Sequence, residues 1–209
     1  MIGPSQMLTT SGALSRSRLI RLGLGGGAGL VAAGAGLGAA RPARGQAAAE
    51  PTEGDLATVR LLASGELLAQ AFYTSALASK RLSKAEATDL GRALEHERDH
   101  YTALKQILGD AAPLGDDFEF AWPKDAFARR GRMLRLGTAI ETALAGTYAS
   151  AAATASTLEL RALLAQIAVS EAQHVAVLNR IRGGAPAPSF PELLDVEQAS
   201  AALGPFFGD

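Results

Sequence analysis

The stretch His96-Glu97-Arg98-Asp99-His100 holds two incompatible ligand patterns. Read from His96 it is H-E-x-x-H, in which two histidines one helical turn apart hold zinc and the glutamate serves as general base. Read from Glu97 it is E-x-x-H, in which a carboxylate and an imidazole project from one helix toward a pair of metal ions in a bundle core. Positions i and i+3 lie about 60° apart around a helix, so Glu97 and His100 address one point in space. A charged helix face in water is the third reading, and it fits any isolated E-x-x-H.

A second copy of the pattern decides among them. Glu171 and His174 repeat E-x-x-H 74 residues on, and the position matching His96 is Ser170. Glu66 and Tyr73 recur as Glu141 and Tyr148, each pair seven residues apart and offset by 75. The zinc-protease reading needs His96, His100 and a further protein ligand, and it leaves the second half unexplained. A metal-free helical scaffold or binding protein is the other alternative. It would have to bring Glu66, Glu97, Glu141 and Glu171 together at the cost of mutual repulsion and lost solvation, which two divalent cations remove.

The remaining polar and aromatic residues read less sharply. Each tyrosine sits two turns beyond its glutamate, about 20° off the same inward stripe. Its hydroxyl either donates to a metal-binding carboxylate or belongs to a core aromatic bonded elsewhere, and spacing leaves both open. His96 falls on the helix flank beside the site. Tyr101 points about 100° away from His100, toward a helix edge.

Four helices are needed to position these groups, and the sequence supplies them. From Asp55 onward it is rich in Ala and Leu at three- and four-residue spacing. The first helix is expected from about Asp55 to Lys80. A capping box, Ser83 and Glu86, opens a second that runs to about Leu108 and is closed by Gly109. The third is expected from about Asp125 to Ala153. Ser156 and Glu159 predict a capping box for the fourth, ended by Gly183-Gly184. Helices of about 25 residues are about 38 Å long, and tight turns after the first and third make two antiparallel hairpins. The 15-residue link DAAPLGDDFEFAWPK stretches to about 50 Å and can cross the whole bundle. Phe118, Phe120 and Trp122 are expected to pin it, and RRGRMLR, Arg129 to Arg135, reads as a solvated face.

In its order of ligands, E, E-x-x-H, E, E-x-x-H, the chain resembles the ferritin-like di-metal carboxylate superfamily, which includes ferritins, bacterioferritins, rubrerythrins and manganese catalases. The resemblance spans about Leu56 to Arg182 and implies an all-α, ferritin-like four-helix bundle with a long crossover between helices 2 and 3. It implies metal ligands Glu66, Glu97, His100, Glu141, Glu171 and His174. Glu97 and Glu171 would bridge two Fe or two Mn ions, Glu66 and Glu141 would be terminal, and each histidine would bind one metal. Dioxygen or hydrogen peroxide would be the substrate of ferroxidase, peroxidase or catalase-type chemistry. Bundles of this kind often pair as homodimers. The tail PSFPELLDVEQASAALGPFF resembles that of exported bacterial ferritin-like proteins, and residues 185–209 are expected to pack on a bundle comprising residues 48–184.

Composition bounds the setting. Residues 1–47 hold five arginines, Arg16, Arg18, Arg21, Arg41 and Arg44, and no acid. The uncharged run LGLGGGAGLVAAGAGLGAA is followed by RPARGQA, whose Gly45 and Ala47 suit signal-peptidase cleavage. This is an expected export signal similar to those of the twin-arginine pathway, although SRSRLIR lacks an adjacent arginine pair. A periplasmic protein follows; an uncleaved membrane anchor is the alternative. With those arginines set aside, 15 Lys and Arg face 21 Asp and Glu, a net charge of −6, which argues against nucleic acid as partner. With no cysteine in the chain, redox electrons must come from an external donor rather than a disulfide or thiolate-bound iron.

Overall fold

The computed structural model describes residues 49–186 and 188–208; the export signal expected over residues 1–47 lies outside them. Four long helices form the body: α1 Glu53–Ala78, α2 Lys84–Leu108, α3 Arg130–Thr154 and α4 Leu158–Arg182. A short fifth helix, α5 Val196–Leu203, lies in the tail. α1 packs on α2 and α3 on α4, and the two hairpins meet through α1 against α3 and α2 against α4.

Local chemistry explains most boundaries. Thr52 and Asp55 form a reciprocal capping box at α1, and Ser83 and Glu86 do so at α2. α2 closes at Gly109 with φ 56, and α4 at Gly183 with φ 74, backbone conformations that glycine adopts without steric cost. Two boundaries depart from the sequence expectation. α3 begins at Arg130 rather than Asp125, because Asp125 itself takes φ 59 and the segment before Arg129 closes short turns, Ala126 N to Pro123 O and Ala128 N to Asp125 O. The fourth helix is capped by Thr157, whose hydroxyl accepts from Leu160 N, and not by Ser156. Ser156 is taken instead by Asp55, bonding it through both backbone N–H and hydroxyl, so the α3–α4 turn is fastened to the start of α1.

α1 and α3 are covered on more sides than α2 and α4. Every residue from Leu61 to Ala69 is buried, which no amphipathic surface helix shows. The cause is the tail: α5 packs on α1 and α3, and Leu194 N donates to Gly146 O at 3.2 Å. A Cβ on Gly146 would stand 2.3 Å from the Glu192 carbonyl oxygen, so only glycine lets this strap lie on the helix. The crossover is pinned as expected, but partly by the tail. Phe118, Phe120 and Trp122 stack in sequence and meet Phe207, Phe206, Phe127 and, across the bundle, Phe72. Full burial of a side chain such as Phe72 contributes about 2 kcal/mol. RRGRMLR is only half a solvated face: Met133 and Leu134 are core residues, and Arg130 bonds Glu86 and the Ile181 carbonyl. α2 and α4 therefore keep the solvent side, and they carry the two E-x-x-H pairs.

Candidate metal centre

Glu66, Glu97, Glu141 and Glu171 are each 0 % exposed and come from α1, α2, α3 and α4 respectively. His100 and His174 complete the cluster from α2 and α4. Each imidazole turns Nδ1 inward. His100 Nδ1 lies 2.9 Å from Glu171 Oε1, 3.4 Å from Glu97 Oε2 and 3.7 Å from Glu66 Oε2. His174 Nδ1 lies 2.8 Å from Glu97 Oε1, 3.3 Å from Glu171 Oε2 and 3.6 Å from Glu141 Oε2. The two halves thus build matching environments, in which each histidine sees its own hairpin's lone glutamate and both E-x-x-H glutamates.

The donor atoms resolve into two quartets. One comprises Glu66, Glu97, His100 and Glu171; the other comprises Glu97, Glu141, Glu171 and His174; within each, one ligand atom per residue lies within 4.8 Å of all the rest. Glu97 and Glu171 belong to both. Five buried carboxylate oxygens, Glu66 Oε2, both of Glu97, Glu141 Oε2 and Glu171 Oε1, lack a hydrogen-bond partner, as does His100 Nδ1. Such groups cost free energy to bury unpaired. Oxygens and ring nitrogens that converge without aligned hydrogen bonds are what a cation needs from its ligands, so this donor set fits two metal ions.

Electrostatics point the same way. Burial, and then the neighbouring Glu171, Glu141 and Glu66 charges, push the Glu97 carboxyl well above its ordinary range. Burial, with Glu141 and Glu66, raises Glu171 to about 8. For Glu141 burial is outweighed by the adjacent His174 and Glu171 groups and by the hydrogen bond from Tyr73, which hold it low. Burial opposes charge on His100, but Glu171, Glu66 and Glu97 override it and raise the group to about 12. His174 is raised in the same way by Glu141, Glu171 and Glu97. Protons thus do part of what bound cations would do, because four carboxylates this close cannot all ionise unaided.

The tyrosines donate to carboxylates of the cluster, with a crossing that spacing does not contain. Tyr73 donates to Glu141 Oε1 at 2.5 Å, and Tyr148 donates to Glu66 Oε1. Each serves the other hairpin's glutamate. Burial first, and then Glu141 for Tyr73 and Glu66 for Tyr148, push both phenols well above their ordinary range, so they remain hydroxyl donors.

Three neighbours complete the surroundings. Tyr101 donates to the Pro113 carbonyl at 2.7 Å and fastens the start of the crossover, a partner in keeping with its place at a helix edge. Gln70 Nε2 donates to the Glu97 carbonyl at 3.1 Å and steadies α2 where the Glu97 side chain departs; no sequence pattern marked it. His96, on the flank as expected, places Nδ1 3.1 Å from His174 Nε2, with the two rings 21° from parallel. Burial, and then the His174 and His100 charges, lower its pKa. Among the described residues the ligand quartet that contains His100 does not contain His96, so the H-E-x-x-H pattern does not assemble as a site.

A family model described as a ferritin-like domain matches residues 54–184, more than half of the chain and the whole of the cluster. No curated protein matches the sequence.

Proposed function

We propose, from the premise that the chain belongs to the ferritin-like domain family, that it binds two iron or manganese ions among its four long helices and acts as an oxidoreductase on dioxygen or hydrogen peroxide. The observation that carries this reading is the sharing of Glu97 and Glu171 between two ligand quartets. A carboxylate has two oxygens and can serve two cations, and here the two oxygens of each glutamate face different histidines. Glu97 and Glu171 would bridge the ions, Glu66 and Glu141 would each close one position, and His100 and His174 would each supply one nitrogen.

Bound iron or manganese would supply electron exchange with the oxidant. The chain's own residues do the rest. The carboxylates balance cationic charge, the tyrosine hydroxyls hold the terminal glutamates in one orientation, and the leucines and alanines around them exclude bulk water. Carboxylate and imidazole suit both metals, so ligand type does not choose between them. Iron would favour ferroxidase or peroxidase activity drawing on an external electron donor, and manganese would favour peroxide disproportionation. The metal-free scaffold reading leaves the unpaired buried oxygens without a purpose.

Metal analysis of protein purified without added metal tests the proposal. Close to two Fe or Mn per chain supports it; one zinc per chain that survives Glu141→Ala sinks it. Export is part of the reading, supported by the basic, glycine-rich residues 1–47. No helix among the described residues is long and apolar enough to cross a membrane. Folded export would let the metal be loaded in the cytoplasm, and metal content compared between cytoplasmic and exported protein tests that.

A further inference from the structure

The near-symmetry of the centre breaks at one place. Glu66 and Glu141 are matched, each with a tyrosine from the opposite hairpin, and the E-x-x-H pairs are matched in sequence and in contact. Behind the histidines the match fails. His174 has His96 against its Nε2 at 3.1 Å. The position on α4 that corresponds to His96 is Ser170, and among the described residues no hydrogen bond joins Ser170 to His100. A cavity of about 150 Å³ opens on the same side, floored by Tyr73 and His174 and walled by Leu90, Ala93 and His96. Its lining contains none of Glu66, His100 or Tyr148.

A metal-binding imidazole that presents Nδ1 to the ion carries its proton on Nε2, and that N–H needs an acceptor to fix the ring's tautomer and angle. His96 Nδ1 is such an acceptor, on a ring nearly parallel to its partner. Resting on the di-metal reading above, we infer that His96 is a positioning residue for His174, and that it makes the metal position of Glu141 and His174 the tighter of the two. The position of Glu66 and His100 lacks this support and fills second. Loss of an outer hydrogen bond of this kind costs roughly 10- to 100-fold in metal affinity. The two ions would therefore differ in affinity within a centre whose ligands are otherwise paired.

The test uses manganese at one equivalent per chain and anomalous diffraction at the two positions, with the mature protein at one fixed pH. In the wild type the peak beside His174 should exceed the peak beside His100 by about three- to tenfold, because with one equivalent shared between two sites the occupancy ratio is the square root of a roughly 10- to 100-fold affinity ratio. His96→Leu removes the acceptor and should bring the two peaks to within about twofold, whereas His96→Asn, which keeps an acceptor atom in reach, should preserve most of the difference. His96 lies at the surface, so neither change removes core volume. Equal wild-type peaks, or an unchanged ratio in His96→Leu, would overturn the inference while leaving the di-metal reading intact. No peak at either position in excess manganese would remove the di-metal reading itself, and this inference with it.

Discussion

Tyr73 of α1 donates its hydroxyl to Glu141 of α3, and the reciprocal pair, Tyr148 of α3 and Glu66 of α1, mirrors it. Each hairpin thereby hydrogen-bonds the buried glutamate of the other. This coupling makes Tyr73→Phe act across the bundle: it should weaken the metal position of Glu141 and His174 by roughly 10- to 100-fold and spare that of Glu66 and His100, with Tyr148→Phe doing the reverse. Manganese occupancy at each position by anomalous diffraction reads this directly. Loss at the position of the tyrosine's own hairpin would contradict the crossed arrangement.

Glu97 and Glu171 are common to both quartets, and Glu66 and Glu141 belong to one each. Glu97→Ala or Glu171→Ala should therefore abolish binding of both ions, whereas Glu66→Ala or Glu141→Ala should leave about one per chain. Elemental analysis after dialysis checks the counts.

In the absence of metal the same residues should oppose folding. Glu97 is buried, without an aligned hydrogen bond and crowded by three carboxylates, so Glu97→Gln should raise the melting temperature of metal-free protein by a few degrees, about 1 kcal/mol, while destroying the loaded state. Calorimetry with and without chelator distinguishes the two effects.

Removal of metal from the wild type should lower its melting temperature, because a ligand that binds only the folded state at 100 times its dissociation constant adds about 2.7 kcal/mol. A melting curve indifferent to chelator and to added Fe or Mn would favour a metal-free scaffold.

Far from the centre, Arg130 and the Ser83 backbone hold the Glu86 carboxylate at a pKa of about 2 against an ordinary 4.5. A depressed folded pKa contributes stability that is present above 4.5 and lost as pH falls through about 2. Glu86→Gln should cost about 1 kcal/mol at pH 6 and progressively less below pH 4.5, as wild type and variant converge. Chemical denaturation at a series of pH values follows the convergence.

Gly146 passes beneath the tail strap at a distance that admits no side chain. Gly146→Ala should displace residues 190–195, cost about 2 kcal/mol through a forced backbone shift, and expose the tail to limited proteolysis while the helical content stays unchanged. Circular dichroism and peptide mapping read the two outcomes separately.

The helices, their antiparallel pairing and the six Glu and His residues that cluster could be read in the sequence because they depend on period and spacing. E-x-x-H places two groups on one helix face whatever surrounds the helix, and its recurrence after 74 residues, without the extra histidine, told the ligand pair apart from the zinc pattern. Caps were legible where a side chain closes on its own backbone, as at Ser83. Ser156 misled because a residue 101 positions away competes for it, a contact that no local rule contains. The start of α3 shifted because Asp125 takes φ 59 and short turns close before Arg129, a conformation that the helical period of the sequence does not reveal.

What only the tertiary structure decided is which partner each inward group meets. Spacing put Tyr73 on the same stripe as Glu66, yet its hydroxyl reaches Glu141, because helix stripes face a neighbouring helix and not themselves. His96 could be placed on a flank, but its bond to His174 depends on how closely α2 and α4 approach. The sequence by itself determined the elements, the clustered carboxylates and imidazoles and the repeat, since these follow from residue types at fixed intervals along one helix. The crossing of the tyrosines, the capture of Ser156 and the asymmetry behind the histidines were decided by distances between helices, which depend on the packing of side chains remote in the chain.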